Sequence, residues 1–105
     1  MRKICLLFII LLHTALFAQE SRDIEYIRKF AYIAVQEQKI HKIPASIKLA
    51  QGLIETGGGQ SRLAEQGNNH FGIKCKPEWT GGKIYHDDDA KGECFRVYDN
   101  AEESF

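Results

Sequence analysis

Apolar residues are distributed in three different ways along this chain, and each predicts a different element. The first is an unbroken run. "ICLLFIILL" follows the basic start "MRK" and leads through "HTALFA" to the small residue Ala18. That layout predicts a secretory signal peptide over residues 1–18. The run is short and closely flanked for a membrane span, so an uncleaved N-terminal anchor is the alternative. The second distribution has helical spacing. Ile24, Ile27, Ala31, Ala34 and Val35 recur with a helix period, and Tyr26, Phe30 and Ile33 widen the apolar side. A helix over 22–41 follows, with Ser21 or Asp23 at its start.

Pro44 opens a second helix, because its missing N–H costs nothing in the first turn. On a helical wheel Ile47, Leu49, Ala50, Leu53 and Ile54 fill one arc, and Lys48, Gln51, Gly52 and Glu55 fill the other. Gly57, Gly58 and Gly59 end this helix near Thr56. Ser61 caps a short third helix, "SRLAEQ", which stops at Gly67. The third distribution is of short aromatic and β-branched runs. "HFGIKCK", "GKIYHD" and "ECFRVY", separated by glycine pairs and turns, predict a small antiparallel sheet with Cys75 and Cys94 on its outer strands. "DNAEESF" reads as a helix start, with Asp99 or Asn100 as the cap and Glu102 or Glu103 answering it. The chain reaches Phe105 inside that first turn, so a truncated domain is expected.

Composition narrows the class. The 105 residues carry 14 basic and 14 acidic side chains. Removing residues 1–18 takes away Arg2 and Lys3, leaving 12 basic against 14 acidic, a net charge of −2. No basic block stands out, which argues against nucleic acid as a partner. Residues 19–105 make one small domain that buries little surface. An exported chain keeps two cysteines, Cys75 and Cys94, which read as a disulfide in an oxidising compartment. A metal pair is the weaker alternative, since neither a Cys-x-x-Cys nor a His-x-x-x-His unit is present. His41, His70 and His86 show no metal-ligand spacing either, and no metal or other cofactor is expected.

The order of motifs from Pro44 to Phe105 resembles a known family. Pro44, "LAQ" at 49–51, Glu55-Thr56-Gly57, Ser61, Leu63-Ala64 and Asn68-Asn69 come first. "FGIK" at 71–74, Trp79-Thr80-Gly81, "FRVY" at 95–98 and "ESF" at 103–105 follow. This is similar to the opening of the glucosaminidase domain of glycoside hydrolase family 73, bacterial cell-wall hydrolases with a lysozyme-like fold. The resemblance implies an α+β fold with a helical lobe and a small antiparallel β-sheet. It divides the chain into a signal peptide (1–18), an N-terminal helix (19–42) and an incomplete glucosaminidase-like domain (43–105). Two departures stand out: Gly58 occupies a position where many relatives carry tryptophan, and the family domain continues past "ESF".

The resemblance also assigns roles. Glycosidic cleavage needs a carboxylic acid that protonates the leaving oxygen, and Glu55 matches the family's catalytic acid. Such an acid must hold its proton at neutral pH, through desolvation or a nearby like charge. By residue type alone, a solvated helix glutamate is the alternative. The family's second acid lies in the sheet region, where this sequence offers "HDDD". Asp87 and Asp88 are the candidates, with Asp89 and Glu93 behind them; a solvated turn explains at least two of these acids equally well. A 2-acetamido sugar can also supply its own nucleophile. Asn69, Phe71, Trp79 and Tyr98 are candidate sugar-binding residues. The implied function is an exported peptidoglycan hydrolase, periplasmic or extracellular, acting as a monomer on glycan strands and off the membrane once the signal is cleaved. It would cut the β-1,4 bond between N-acetylglucosamine and N-acetylmuramic acid. A muramidase or lytic transglycosylase of the same fold is the second reading, and a non-catalytic wall-binding fragment the third.

Overall fold

A computed structural model describes residues 1–105. Helix α1 spans Arg2–His41 without a break. Neither glycine nor proline occurs before Pro44, so nothing interrupts the helix between the apolar run and the periodic segment. It stops at Lys42, whose backbone is left-handed (φ 64°) and whose N–H returns to the Gln38 carbonyl. Residues 1–20 are exposed throughout, and the helix touches the rest of the molecule only beyond them.

The buried face of α1 lies within the expected apolar side, on its aromatic edge rather than its aliphatic one. Tyr26, Phe30 and Ala34, four residues apart, are buried. Ile24, Ile27 and Val35 stay 43–48 % exposed. The partners decide this. Phe30 stacks on Phe105 with ring centroids 5.6 Å apart and meets the His70 ring at 4.6 Å. The core consists of Tyr26, Phe30, Ala34 and Phe105, flanked by Ile33, Ala45, Leu49, Leu53, Phe71 and Ala101.

Helix α2 spans Ala45–Thr56, with Pro44 one position outside as its cap residue. The Pro44 carbonyl accepts from the N–H groups of Ile47 and Lys48. Here too the buried side is displaced from the wheel arc. Gly52 and Thr56 are buried, while Ile47 and Ile54 are 52 % and 78 % exposed. Gly52 explains the shift. A methyl group there would overlap the Tyr26 hydroxyl, so only a bare backbone lets α1 approach so closely. Helix α3 spans Arg62–Gly67; the Ser61 hydroxyl accepts from the Ala64 N–H at 3.2 Å, as a cap should.

Strands β1 (Gly82–His86) and β2 (Glu93–Val97) pair antiparallel, with Ile84 opposite Phe95 and His86 opposite Glu93. The expected third strand is reduced to one bridge, Lys74 to Phe95. The Asn69 side chain holds the turn before it, accepting from the Ile73 N–H and donating to the Ile73 carbonyl, both at 2.9 Å. Pro77, which has no N–H, follows closely. Cys94 therefore lies on the inner strand, between β1 and the 73–75 segment, rather than on an outer one. It is bonded to Cys75. A single 3-10 turn, Ala101–Glu103, is capped by Asn100, and Glu103 answers at the Asp99 N–H. The turn delivers Phe105 to the core.

Under the core, the Tyr26 hydroxyl and His70 Nδ1 share a hydrogen bond of 2.7 Å. Burial pushes the Tyr26 phenol up to about 12. Burial also lowers His70 to about 4, and the nearby charge of Lys29 acts the same way. An unfolded histidine titrates near 6.5. Between about pH 6.5 and pH 4 the unfolded chain takes up a proton that the folded chain refuses. The stability His70 contributes above pH 6.5 is therefore lost as pH falls through this window, by up to a few kcal/mol. A His70→Phe variant should show a flatter fall in urea midpoint between pH 7 and pH 4.5 than the parent; parallel curves would refute this.

Candidate active site

Glu55 lies in the last turn of α2 and is exposed. Gly57, Gly58 and Gly59 follow with φ of 57°, 75° and 83°. Three left-handed residues in a row strongly favour glycine, and they reverse the chain within four residues. The Thr56 hydroxyl anchors the reversal, donating to the Gly52 carbonyl and accepting from the Gly59 N–H. The chain thus returns as Ser61, Arg62 and Leu63 alongside Glu55.

These residues form one side of a groove of about 340 Å³. Asn69, Phe71 and Gly72 contribute its floor, and His86, Asp88 and Phe95 line it from the hairpin. Asn69 is 1 % exposed, and its amide also donates to the Arg96 carbonyl at 2.9 Å. Its side chain is committed to tying the floor to β2. Phe71 is wedged against Phe105 at 5.0 Å, with the Lys48 ammonium 4.7 Å over its ring. Arg62 crosses from α3 to β1, donating to the Tyr85 carbonyl at 3.0 Å.

The acids of the hairpin loop separate clearly. Asp87 closes the loop, accepting from the Gly92 N–H at 2.7 Å, and does not line the groove. Asp88 does line it. Lys74 reaches Asp88 at 3.8 Å, and Asp89 and Glu93 at 3.1 Å each. Its hydrogen bonds to Asp89 and Glu93 raise its pKa above the usual lysine value.

Trp79 and Tyr98 are together, but not in this groove. Their rings meet at 5.4 Å, the Arg96 guanidinium lies 4.7 Å from the Trp79 ring, and Trp79 Nε1 donates to the Gly82 carbonyl. Tyr98 is held by its backbone, through the Gly67 carbonyl and the Asn68 amide. The structure thus gathers Glu55, Asp88, Asn69 and Phe71 at one groove and leaves Asp87, Trp79 and Tyr98 outside its lining. Sequence reasoning overlooked Arg62 and His86; neither sits in a spacing that marks it, and only the fold brings them in. A larger groove, about 730 Å³, lies between α1 and segments 58–65 and 99–101, and holds none of the candidate acids.

Residues 31–105 match the family described as mannosyl-glycoprotein endo-beta-N-acetylglucosaminidase. A peptidoglycan hydrolase FlgJ of Vibrio parahaemolyticus is 35 % identical over 74 residues, which cover 60 % of this chain and 24 % of that protein. The fold is similar to that of a peptidoglycan hydrolase from Sphingomonas sp. A1, with TM-score 0.68 and 27 % identity over 76 % of this chain and 55 % of that one. It is also similar to the catalytic domain of the autolysin Auto from Listeria monocytogenes, with TM-score 0.64 and 26 % identity over 79 % and 51 %. The chain spans about half the length of these solved structures. Their architecture is the expected α+β, lysozyme-like one, a helical lobe beside a small antiparallel sheet. The motif order, the fold and the family match converge: the chain belongs to the glucosaminidase family of glycoside hydrolases.

Proposed function

We propose that this chain is an exported peptidoglycan hydrolase that cleaves the β-1,4 bond between N-acetylglucosamine and N-acetylmuramic acid, with Glu55 as the general acid. The observation that carries this reading is the groove that Glu55 shares with Asp88, between the end of α2 and the hairpin. A space of this size holds about one sugar ring with its substituents. Exposed in the free protein, Glu55 is free to meet a glycosidic oxygen. A sugar filling the groove excludes water, and exclusion of water favours the protonated form of a carboxyl group. The acid then protonates the leaving oxygen as the bond to the anomeric carbon breaks. In this reading Asp88, which lines the same groove, activates water or stabilises the positive charge that develops on the sugar. Phe71 offers an apolar surface to a ring face. Trp79 and Tyr98, with Arg96, form a second aromatic surface, available to more distant sugars of a strand.

Residues 1–18 are read as the export signal, and 19–105 as the portion that acts in the periplasm or cell wall. Their complete exposure fits a segment that the domain does not need for packing. The assay is direct. Incubated with purified peptidoglycan, the chain should release soluble muropeptides. Sedimentation of the chain with the wall, without any release of sugar, would favour the wall-binding reading instead.

A further inference from the structure

Lys74 lies outside the groove lining, yet its ammonium group is the hub of the hairpin loop. It meets Asp88, Asp89 and Glu93 at 3.8, 3.1 and 3.1 Å. Carboxylate oxygens of those three residues lie within 4.8 Å of one another. Three like charges so close repel, and one central cation is what allows them to stay. Glu93 shows the dependence most clearly. Its Oε1 meets Lys74, and its Oε2 is enclosed without a hydrogen-bond partner. Lacking Lys74, that carboxylate is without a counter-charge and has to turn outward. Glu93 begins β2, so its movement reaches the loop that carries Asp88.

The backbone of Lys74 is well fixed. The residue bridges to Phe95, its carbonyl accepts from Arg96 Nε at 3.2 Å, and its neighbour Cys75 is bonded to Cys94. It also follows the groove floor, Asn69 to Gly72, with only Ile73 between. Resting on the function proposed above, we propose that Lys74 is a positioning residue: its ammonium group gathers the three loop carboxylates and so holds Asp88 at the groove that Glu55 lines. It touches no substrate and acts through Asp88.

The test compares the whole chain carrying Lys74→Met, Lys74→Arg, Asp88→Asn, Glu55→Gln or the Lys74→Met/Asp88→Asn pair, on soluble glycan strands prepared from peptidoglycan. Lys74→Met should lower kcat roughly tenfold or more, in keeping with a misplaced catalytic group, with KM little changed. Lys74→Arg should recover most of the rate. The double variant should be no slower than Asp88→Asn alone, because both changes remove one function. An unchanged kcat in Lys74→Met, failure of arginine to rescue, or losses that multiply in the pair would each overturn the role. A second reading needs no turnover. Backbone heteronuclear Overhauser values over residues 87–92 should fall in Lys74→Met and hold in Lys74→Arg; unaltered values in Lys74→Met overturn the proposal. The two levels separate cleanly. An inactive Glu55→Gln beside a fully active Lys74→Met removes the Lys74 role alone, whereas a fully active Glu55→Gln removes the proposed function and the Lys74 role with it.

Discussion

Replacing Glu55 by glutamine should slow glycan cleavage by at least about a hundredfold and leave the far-ultraviolet circular dichroism spectrum unchanged. Glutamine matches the size and shape of glutamate but has no acidic proton to give. Position 55 is exposed on the last turn of α2, so the amide displaces nothing in the core. The stop of the helix is made by backbone groups, the N–H of Gly57 to Ile54 and of Gly58 to Leu53, which the change does not touch. Loss of activity therefore reports on chemistry rather than on folding. The measurement is the rate of reducing-end formation on soluble glycan strands, parent against variant, with the spectrum recorded on the same samples. Equal rates would remove Glu55 from the mechanism.

The second large effect is expected at the disulfide. Only 12 of 105 residues are buried, so the core is small and covalent closure carries a large share of the stability. Cys75 and Cys94 are separated by 19 residues. Constraining a loop of that length stabilises by about 3 kcal/mol in the chain-entropy account. The paired change Cys75→Ala with Cys94→Ala should lower the thermal midpoint by roughly 10–20 °C. Activity should fall as well, because the bond staples the Lys74 segment to β2 beside the groove. Thiol labelling of the unreduced protein should leave Cys75 and Cys94 unmodified, with Cys5 the single reactive thiol only where residues 1–18 are still attached. An unaltered midpoint, or labelling at Cys75 and Cys94, would contradict the assignment.

Features decided by local chemistry were legible in advance. Ser61 before "RLAEQ", the glycine triplet after Thr56, Asn100 with Glu103 and the cysteine pair each act within their own few residues, or through one covalent bond, and the structure has them so. What escaped was decided by partners distant in sequence. An apolar stripe shows that a helix has a buried face but not which neighbour covers it. Phe105 and His70 draw the aromatic side of α1 inward, and the Ile24, Ile27 and Val35 stripe is left outside. Gly52 falls on the polar arc of the helical wheel, yet it is the contact point with Tyr26. The β-like texture of "HFGIKCK" did not reveal that Asn69 folds it into a turn, which leaves a single bridge at Lys74.

The groove was legible only in part, for the same reason. It draws on residues 55, 61–63, 69–72, 86, 88 and 95, which no sequence window contains together. The family resemblance pointed to Glu55 as the candidate acid and to Asp87, Asp88, Asp89 and Glu93 as candidates for a second. Only the fold separates Asp88, at the groove, from Asp87, spent on the loop. Arg62 has no sequence signal at all: its partner is the carbonyl of Tyr85, and a carbonyl is present at every residue.

The central claim concerns one bond and one acid, and the sugar left at the new reducing end tests it most directly. Purified peptidoglycan digested by the chain, reduced with borohydride and analysed by mass, should yield fragments ending in reduced N-acetylglucosamine, and none with Glu55→Gln. Reduced N-acetylmuramic acid or its anhydro form at those ends would contradict the account, as would N-acetylglucosamine ends released equally by the glutamine variant.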